Sequence, residues 1–380
     1  MLNDPNTSSK LIVRNVTLSG AATTGGIVVS AMGATKRVEI NGATGSVTGI
    51  TASKGGAIVL TATATGASAR IENCNGLQAT SNGSGSSCSP IHLVGVPAVV
   101  QNNKAMQVNE VAANSSSGLV LVEPLGFQSD GGEIIGNSGY NSCSGGYLTR
   151  VGTDGAGAND NRTNNWISAD NDWRGNPAAS IMHGVMFGSC VGGLACEDTI
   201  REVSIPLLSK LQTTGAIFLR PRVEMPVGTT AVFYSKGSVG AKCIGAQVRM
   251  RRSAGYYIFR VDDDPTIPTH STGAVCSAAN IWSDDPAGVS LVALVPANNT
   301  ATFDNNNYYF AGGVTGTPWS INGTGYATFT AWQAAQELTA RQVDPTSLNT
   351  QFHKNSYIPL LTAGLVSGPM LSIMLAGTLP

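Results

Sequence analysis

The segments Val38-Glu39-Ile40-Asn41, Ala57-Ile58-Val59-Leu60, Ile71-Glu72-Asn73, Pro90-Ile91-His92-Leu93-Val94 and Val100-Gln101-Asn102-Asn103 follow one another along residues 38–103. They belong to two interleaved series. In one, a short apolar strand follows Gly, Ala or Pro; in the other, an apolar strand runs into Asn. The first series extends outward through Gly26-Ile27-Val28-Val29, Gly118-Leu119-Val120-Leu121-Val122, Gly146-Tyr147-Leu148-Thr149-Arg150-Val151 and Ser180-Ile181-Met182-His183. It continues with Gly215-Ala216-Ile217-Phe218-Leu219-Arg220 and Gly255-Tyr256-Tyr257-Ile258-Phe259-Arg260. The second extends through Val13-Arg14-Asn15, Ile134-Ile135-Gly136-Asn137 and Phe303-Asp304-Asn305-Asn306.

Members of the first series recur at roughly 28 to 40 residues, in the range of solenoid repeats. Two strand series sharing one period are what successive sides of a coil produce. Asn suits the bend between sides because it tolerates left-handed backbone and bonds its own main chain. Stacked at equivalent positions, such Asn side chains also form hydrogen-bonded ladders. An antiparallel sandwich or jelly roll is the competing reading, but its strands recur every 8–12 residues or so without a larger unit. The reading is therefore all-β: a right-handed parallel β-helix (solenoid) with one short late helix, expected between Thr328 and Arg341. Coils are assigned to residues 1–315 and a closing segment, a candidate oligomer contact, to residues 316–380.

Composition agrees. Among 380 residues 46 are Gly and 17 Pro, and charged residues make up 12%. Helical proteins carry about twice that charge on exposed helix faces. The formal net charge of −1, without a dense Lys/Arg patch, gives no electrostatic reason to expect nucleic acid or an anionic membrane. The run from Asn355 to Pro380 has no charged residue, yet Pro359, Gly364, Gly368, Pro369 and Gly377 interrupt it, so no membrane span is expected. It reads as buried strands or a subunit contact. The N-terminus lacks the basic and apolar regions of a signal peptide. The seven Cys are scattered and offer no metal-type pair; they read as buried thiols, with Cys190 and Cys196 alone close enough to bridge a loop.

Toward the C-terminus the sequence reads Thr302-Phe303-Asp304-Asn305-Asn306-Asn307-Tyr308-Tyr309-Phe310, then Trp319, Tyr326-Ala327-Thr328-Phe329-Thr330-Ala331-Trp332-Gln333 and Val343-Asp344-Pro345. This resembles the closing segment of right-handed parallel β-helix proteins of the pectate-lyase-like superfamily, most like phage tailspike or tail-fibre proteins. In the family an apolar residue often follows the Asp-Pro, where this chain has Thr346-Ser347. The superfamily includes polysaccharide lyases, glycoside hydrolases, adhesins and tailspikes, so fold does not choose the function. The resemblance implies a receptor-binding protein of the virion (phage tail) or extracellular space, a homotrimer that recognises a bacterial surface polysaccharide. The alternatives are a secreted bacterial polysaccharide lyase or hydrolase, and a non-enzymatic adhesin or filament subunit.

A saccharide lying along one sheet needs outward polar groups on consecutive strands. Outward candidates in the first series are His92, Thr149, His183, Arg220, Arg222 and Arg260, with Tyr257 or its neighbour Tyr256 for sugar stacking. Hydrolysis needs two carboxylates about 5–10 Å apart; Glu224 and Asp262, on adjacent coils, fit if their registers align. Lyase chemistry needs a base beside a group that neutralises a carboxylate. A second cluster, Trp166-Ile167-Ser168-Ala169-Asp170-Asn171-Asp172-Trp173-Arg174, reads as a loop in which Trp166 and Trp173 grip a sugar and Asp170 and Asp172 take its hydroxyls or act on it, or in which one or both Trp cover the core beneath it. Asp262-Asp263-Asp264-Pro265 is an oxygen-rich run of the kind that binds Ca²⁺, or a solvated turn. No other cofactor is expected, and no phosphate loop, G-x-S-x-G or H-E-x-x-H motif occurs.

Overall fold

The computed structural model describes residues 9–344 apart from 83–86, 112, 114–115, 125–128, 154–161, 226–229, 251–256, 268 and 284. The chain is a parallel β-solenoid in which each turn adds one strand to each of three sheets. The first sheet runs from Ser9–Arg14 to Ala301–Asp304, the second from Thr17–Leu18 to Asn307–Phe310, and the third from Gly25–Met32 to Trp319–Ile321. The third then ends in an antiparallel hairpin with Thr324–Tyr326. Its turn, Asn322 and Gly323 at φ 50° and 79°, is the left-handed pair that suits a two-residue hairpin.

The corner between the first and second sheets is the most regular feature. Each has one left-handed residue, then one residue facing inward, and then the next strand. The left-handed residues are Asn15, Gly42, Asn73, Asn102 and Gly136 in the early turns, and Asp170, Glu197, Arg220, Gly245, Ala278 and Asn305 in the later ones. For a residue other than glycine this conformation costs about 1–2 kcal/mol. The cost is offset because each corner N–H before Asn305 still reaches a carbonyl of the next turn, as in Asp170 N to Cys196 O (3.0 Å) and Glu197 N to Leu219 O (2.9 Å).

The inward residue of the corner builds a ladder. Asn137 Oδ1 accepts from both N and Nδ2 of Asn103, each at 2.9 Å. Asn171 Oδ1 does the same for Asn137. Nδ2 of each then donates to a carbonyl of the turn before: Asn137 to Val100 O and Asn171 to Ile134 O. Ladders of asparagine were expected from the sequence; the rungs are the residues after the left-handed ones. The chain of acceptors ends in Asp198 Oδ1. The next turn has Pro221 in the following position, without an N–H to continue it.

Inside the coil, early turns are filled by Val, Ile and Leu, and late turns by an aromatic stack. Phe187 and Phe218 (centroids 5.6 Å apart) lead to Phe233 (5.9 Å), and Phe259 leads to Phe303 (5.7 Å) and Trp332 (5.0 Å). Trp166 and Trp173 are fully buried in the same core. Their register partners one turn earlier are Gly132 and Gly139, and a Cβ on Gly132 would lie 2.5 Å from the Trp166 ring. A large residue thus sits beside a vacant side-chain position.

Helix Phe329–Gln336 closes the C-terminal end. Thr328 caps it by accepting from Ala331 N (3.2 Å), and Trp332 is its buried residue. The next stretch imitates another corner. Thr339 Oγ1 accepts from Asn305 N (2.7 Å), Glu337 Oε1 from Asn306 N (2.8 Å), and Arg341 O from Tyr308 N (2.8 Å). The expected helix over 328–341 is therefore shorter, because residues 337–343 serve as a substitute turn.

Two further expectations need correction. Gly215–Arg220 does not continue the first series: Ile217–Leu219 is a strand of the first sheet, and Arg220 is a corner. The third-sheet strands Ile205–Lys210 and Ala231–Lys236 take that place. Residues 166–174 are no loop but two strands, Thr163–Ala169 and Asp172–Arg174, joined by the Asp170 corner. The seven Cys are buried free thiols, as expected, and Cys190 and Cys196 do not bridge. Burial pushes Cys74 up to about 11 and Cys243 to about 12, as expected of inert structural thiols. Pro345, Tyr256 and the run from Asn355 to Pro380 lie outside the described residues. No helix among the described residues is long and apolar enough to cross a membrane.

Candidate functional site

The four residues from each corner run in, out, in, out, so the fourth residue after every left-handed one faces solvent from the second sheet. In the later turns this fixes one column in exact register: Tyr140, Arg174, Arg201, Glu224, Arg249 and Trp282, followed by Tyr309. Two positions earlier on the same face stand Asp172, Thr199, Arg222, Gln247 and Asn280. Adjacent parallel strands are about 4.8 Å apart, so Tyr140 and Trp282, five steps apart, lie about 24 Å from each other. The face is a flat, polar track with an aromatic ring at each end.

Its charges are held in place. Arg174 Nε donates to Glu202 Oε2 at 2.6 Å, and its guanidinium lies 5.6 Å from the Tyr140 ring centroid. Arg201 pairs with Asp172. Side-chain amides also bond along the axis: Asn307 Nδ2 to Asn280 Oδ1 (2.8 Å) and Asn280 Nδ2 to Gln247 Oε1 (3.3 Å). Such fixed donors and acceptors at strand spacing can meet successive hydroxyls of an extended chain. Half-buried rings can stack on apolar sugar faces.

Two carboxylates sit at the rim of this track, on successive corners. Burial and, next, the Glu197 carboxylate raise Asp170 above the usual aspartate range. Glu197 itself pairs with Arg220. A carboxyl raised above its usual range beside a second carboxyl that pairs with an arginine is an arrangement that acid–base chemistry uses.

The residues expected from sequence are dispersed over three faces. Glu224, Arg222 and Asp172 are on the second-sheet track; Asp170 and Arg220 are on corners. His183, Tyr257, Arg260 and Asp262 belong to the third sheet. Glu224 and Asp262 therefore do not face each other. The register partners of Glu224 are Arg201 and Arg249, and that of Asp262 is Lys236. Asp262 accepts from Arg260 Nη2 (2.6 Å), Asp263 pairs with His270 (2.9 Å), and Asp264 accepts from Thr266 Oγ1 (2.6 Å). No group of three or more His, Cys, Asp or Glu among the described residues is placed to hold a metal ion. Tyr257 packs on an apolar cluster of Leu121, Tyr147, Met186 and Leu208. His183 stacks on Tyr147 at 5.0 Å. Thr149 faces the core, in register with Val120 and Val185. Trp166 and Trp173, fully buried, meet no ligand at the surface.

His92 is fully buried on the outer side of the third sheet, 3.4 Å from Glu123, which also pairs with Arg150 and Lys54. Burial alone would raise the Glu123 carboxyl, but His92, Arg150 and Lys54 bring it down to about 2. Arg150 and Lys54 offset the Glu123 charge, while His92 Nε2 and Arg150 Nε make no hydrogen bond among the described residues; the hub reads as structure. A groove of about 620 Å³ lies over the first sheet, among Arg37, Glu39, Arg70 and Glu133. Its cations are committed too: Lys10 to Glu39, Arg70 to Glu72, and Arg37 to the Gly66 and Lys36 carbonyls. The second-sheet track is the better candidate.

Comparison with known proteins returned no matching family model, curated protein or solved structure.

Proposed function

We propose that the chain is a glycan-recognition solenoid of the phage tailspike or tail-fibre kind, which binds a bacterial surface polysaccharide lengthwise on the outer face of its second sheet. The observation that carries this reading is the register column from Tyr140 to Trp282, with rings at both ends and charged and amide groups between. A sugar polymer is long, thin and repetitive, and it needs hydrogen bonds at regular spacing with occasional flat apolar contacts. The chain's formal net charge of −1 agrees with a hydroxyl-rich partner better than with nucleic acid. The homotrimer is part of the same proposal, and light scattering on the intact chain tests it.

Purified capsular polysaccharides and lipopolysaccharide O-chains, immobilised as an array, provide the test. Trp282→Ala and Tyr140→Ala are each expected to weaken binding to the best-retained polysaccharide by about tenfold, the loss of one stacking contact. Val111→Ser, at an exposed position, is the control and should bind as the parent does. Equal binding by all three variants would remove the track as the site.

The corner pair favours cleavage as a second reading, with Asp170 as the acid and Glu197, paired with Arg220, as the second carboxyl. Adjacent strands set the two backbones about 4.8 Å apart, near the carboxyl spacing of retaining glycosidases. If the retained polysaccharide is cut, Asp170→Asn should lower reducing-end release at least about 100-fold, the lower range for a general acid, with binding unchanged. Undiminished cleavage in Asp170→Asn would reject this assignment.

A further inference from the structure

The asparagine ladder ends on a carboxyl group, and the sequence has adjusted around it. Asp198 is fully buried. Its Oδ1 accepts from Asn171 N at 3.0 Å and Asn171 Nδ2 at 2.8 Å, as an asparagine rung would. Its Oδ2 stands where a carboxamide nitrogen would donate, and there the Ser168 hydroxyl donates to it at 2.6 Å. Ser168 is the exception in an inward column of apolar residues: its register partners are Ile134 before it and Ala195 after it. Buried Asp and buried Ser thus occur together, one turn apart.

No cation offsets this carboxyl. Among the described residues none forms an ion pair with Asp198; Arg220, on the next corner, pairs with Glu197. The groups facing Asp198 are Ser168 and Asn171 on the preceding turn, the carboxylate of Asp170 at that turn's corner, and the Cys196 thiol on its own turn. Pro221 follows on the next turn. A buried carboxylate with three donors and no positive partner is unfavourable relative to its neutral form.

We infer that Asp198 and Ser168 form an acid-operated lock in the stack: protonation of Asp198 completes the ladder, and ionisation leaves a buried, unpaired charge that loosens this corner. The proton enters Oδ2, and the new O–H donates toward Ser168 as Nδ2 of Asn171 donates toward the equivalent Ile134. Burial first, and Asp170 with it, raise the Asp198 carboxyl to about 6, against the donors that lower it. The folded value lies above the unfolded one, so this group's stabilisation is complete below the unfolded aspartate range. It is lost as pH rises to about 6 and is level beyond. The inference does not depend on the glycan reading.

The test compares wild type with Asp198→Asn, which supplies the missing rung and cannot ionise. Amide hydrogen exchange at Asn171 and Asp172, corrected for its intrinsic pH dependence, reads local opening from pH 4.5 to 8. At pH 8 the wild type is expected to open about 100-fold more readily than the variant, from a shift of about two pKa units. The gap should close on acidification. A gap independent of pH, or a wild type better protected at pH 8, would overturn the inference. If Asp198→Asn does not fold, ¹³C-carboxyl NMR of the wild-type chain decides the matter. An Asp198 midpoint near 6 supports the lock, and one in the ordinary aspartate range contradicts it.

Discussion

Replacing Glu337 by alanine should open the C-terminal end of the solenoid. Three buried donors converge on this carboxylate: Asn306 N at 2.8 Å, Tyr308 Oη at 2.9 Å and Trp332 Nε1 at 3.0 Å. Each donor left without a partner costs about 1–3 kcal/mol, so the local loss for three dry donors is about 3–9 kcal/mol. The damage should stay local, because each turn of a solenoid contacts only its neighbours. Exchange should accelerate in Asn307–Phe310, and Trp fluorescence should report exposure of Trp332. Strands near Ile71 and Val100 should be unaffected. Glu337→Gln retains an acceptor for Asn306 N and should cost much less. Equal loss in both variants would show that charge, and not the number of acceptors, closes the end.

Asn137→Ala is the second large effect, and it acts in the middle of the stack. The substitution leaves Asn103 N without its acceptor, takes one of two acceptors from Asn103 Nδ2, and removes the side-chain donors to Val100 O and Asn171 Oδ1, the latter keeping only the backbone N–H of residue 137. It also removes a fully enclosed side chain. A cost of about 3–5 kcal/mol follows from unsatisfied groups plus a cavity. Because turns couple only to neighbours, a weakened central turn should divide urea unfolding into two transitions, one for each side. Gln101→Ala, on the outer side of the preceding strand, should shift the midpoint little. A single transition with a small shift in Asn137→Ala would mean that the ladder is ornamental to stability.

Both effects trace to residues that could be read in part from sequence. The Asn corners at 15, 73, 102 and 305 announced the repeat because Asn is one of the few side chains that tolerates left-handed backbone. That signal vanished between Asp170 and Ala278. There the same corner is occupied by Asp170, Glu197, Arg220, Gly245 and Ala278, and cross-turn hydrogen bonding supplies what local preference does not. With the corners hidden and the turns shortened around Glu197 and Arg220, the strand phase slipped. Ile217–Leu219 was assigned to the wrong sheet, and the column through Arg174, Arg201 and Arg249 was not seen as one face.

The tryptophans left two readings open for a related reason. Beside Asp170 and Asp172, after a stretch rich in Gly and Asn, Trp166 and Trp173 look like a surface grip. The space that receives them belongs to Gly132 and Gly139, about one turn away in sequence, and appears only once the register is known. Arg222 was legible as an outward polar residue because alternation within one strand suffices for that. Glu224 was legible only as a carboxylate near it in sequence, and Asp172 only as one beside Trp173. Their neighbours across strands were not, since a column is a property of register and not of any one segment.

The account stands or falls on whether a polysaccharide lies along the second sheet. Hydroxyl-radical footprinting of the chain, with and without the polysaccharide best retained on the array, addresses this directly. Binding along the track should protect the side chains of Tyr140, Trp282 and Tyr309 from oxidation, and leave Tyr257 on the third sheet unchanged. Protection of Tyr257 with Trp282 and Tyr140 still fully reactive would place the ligand on another face and contradict the account.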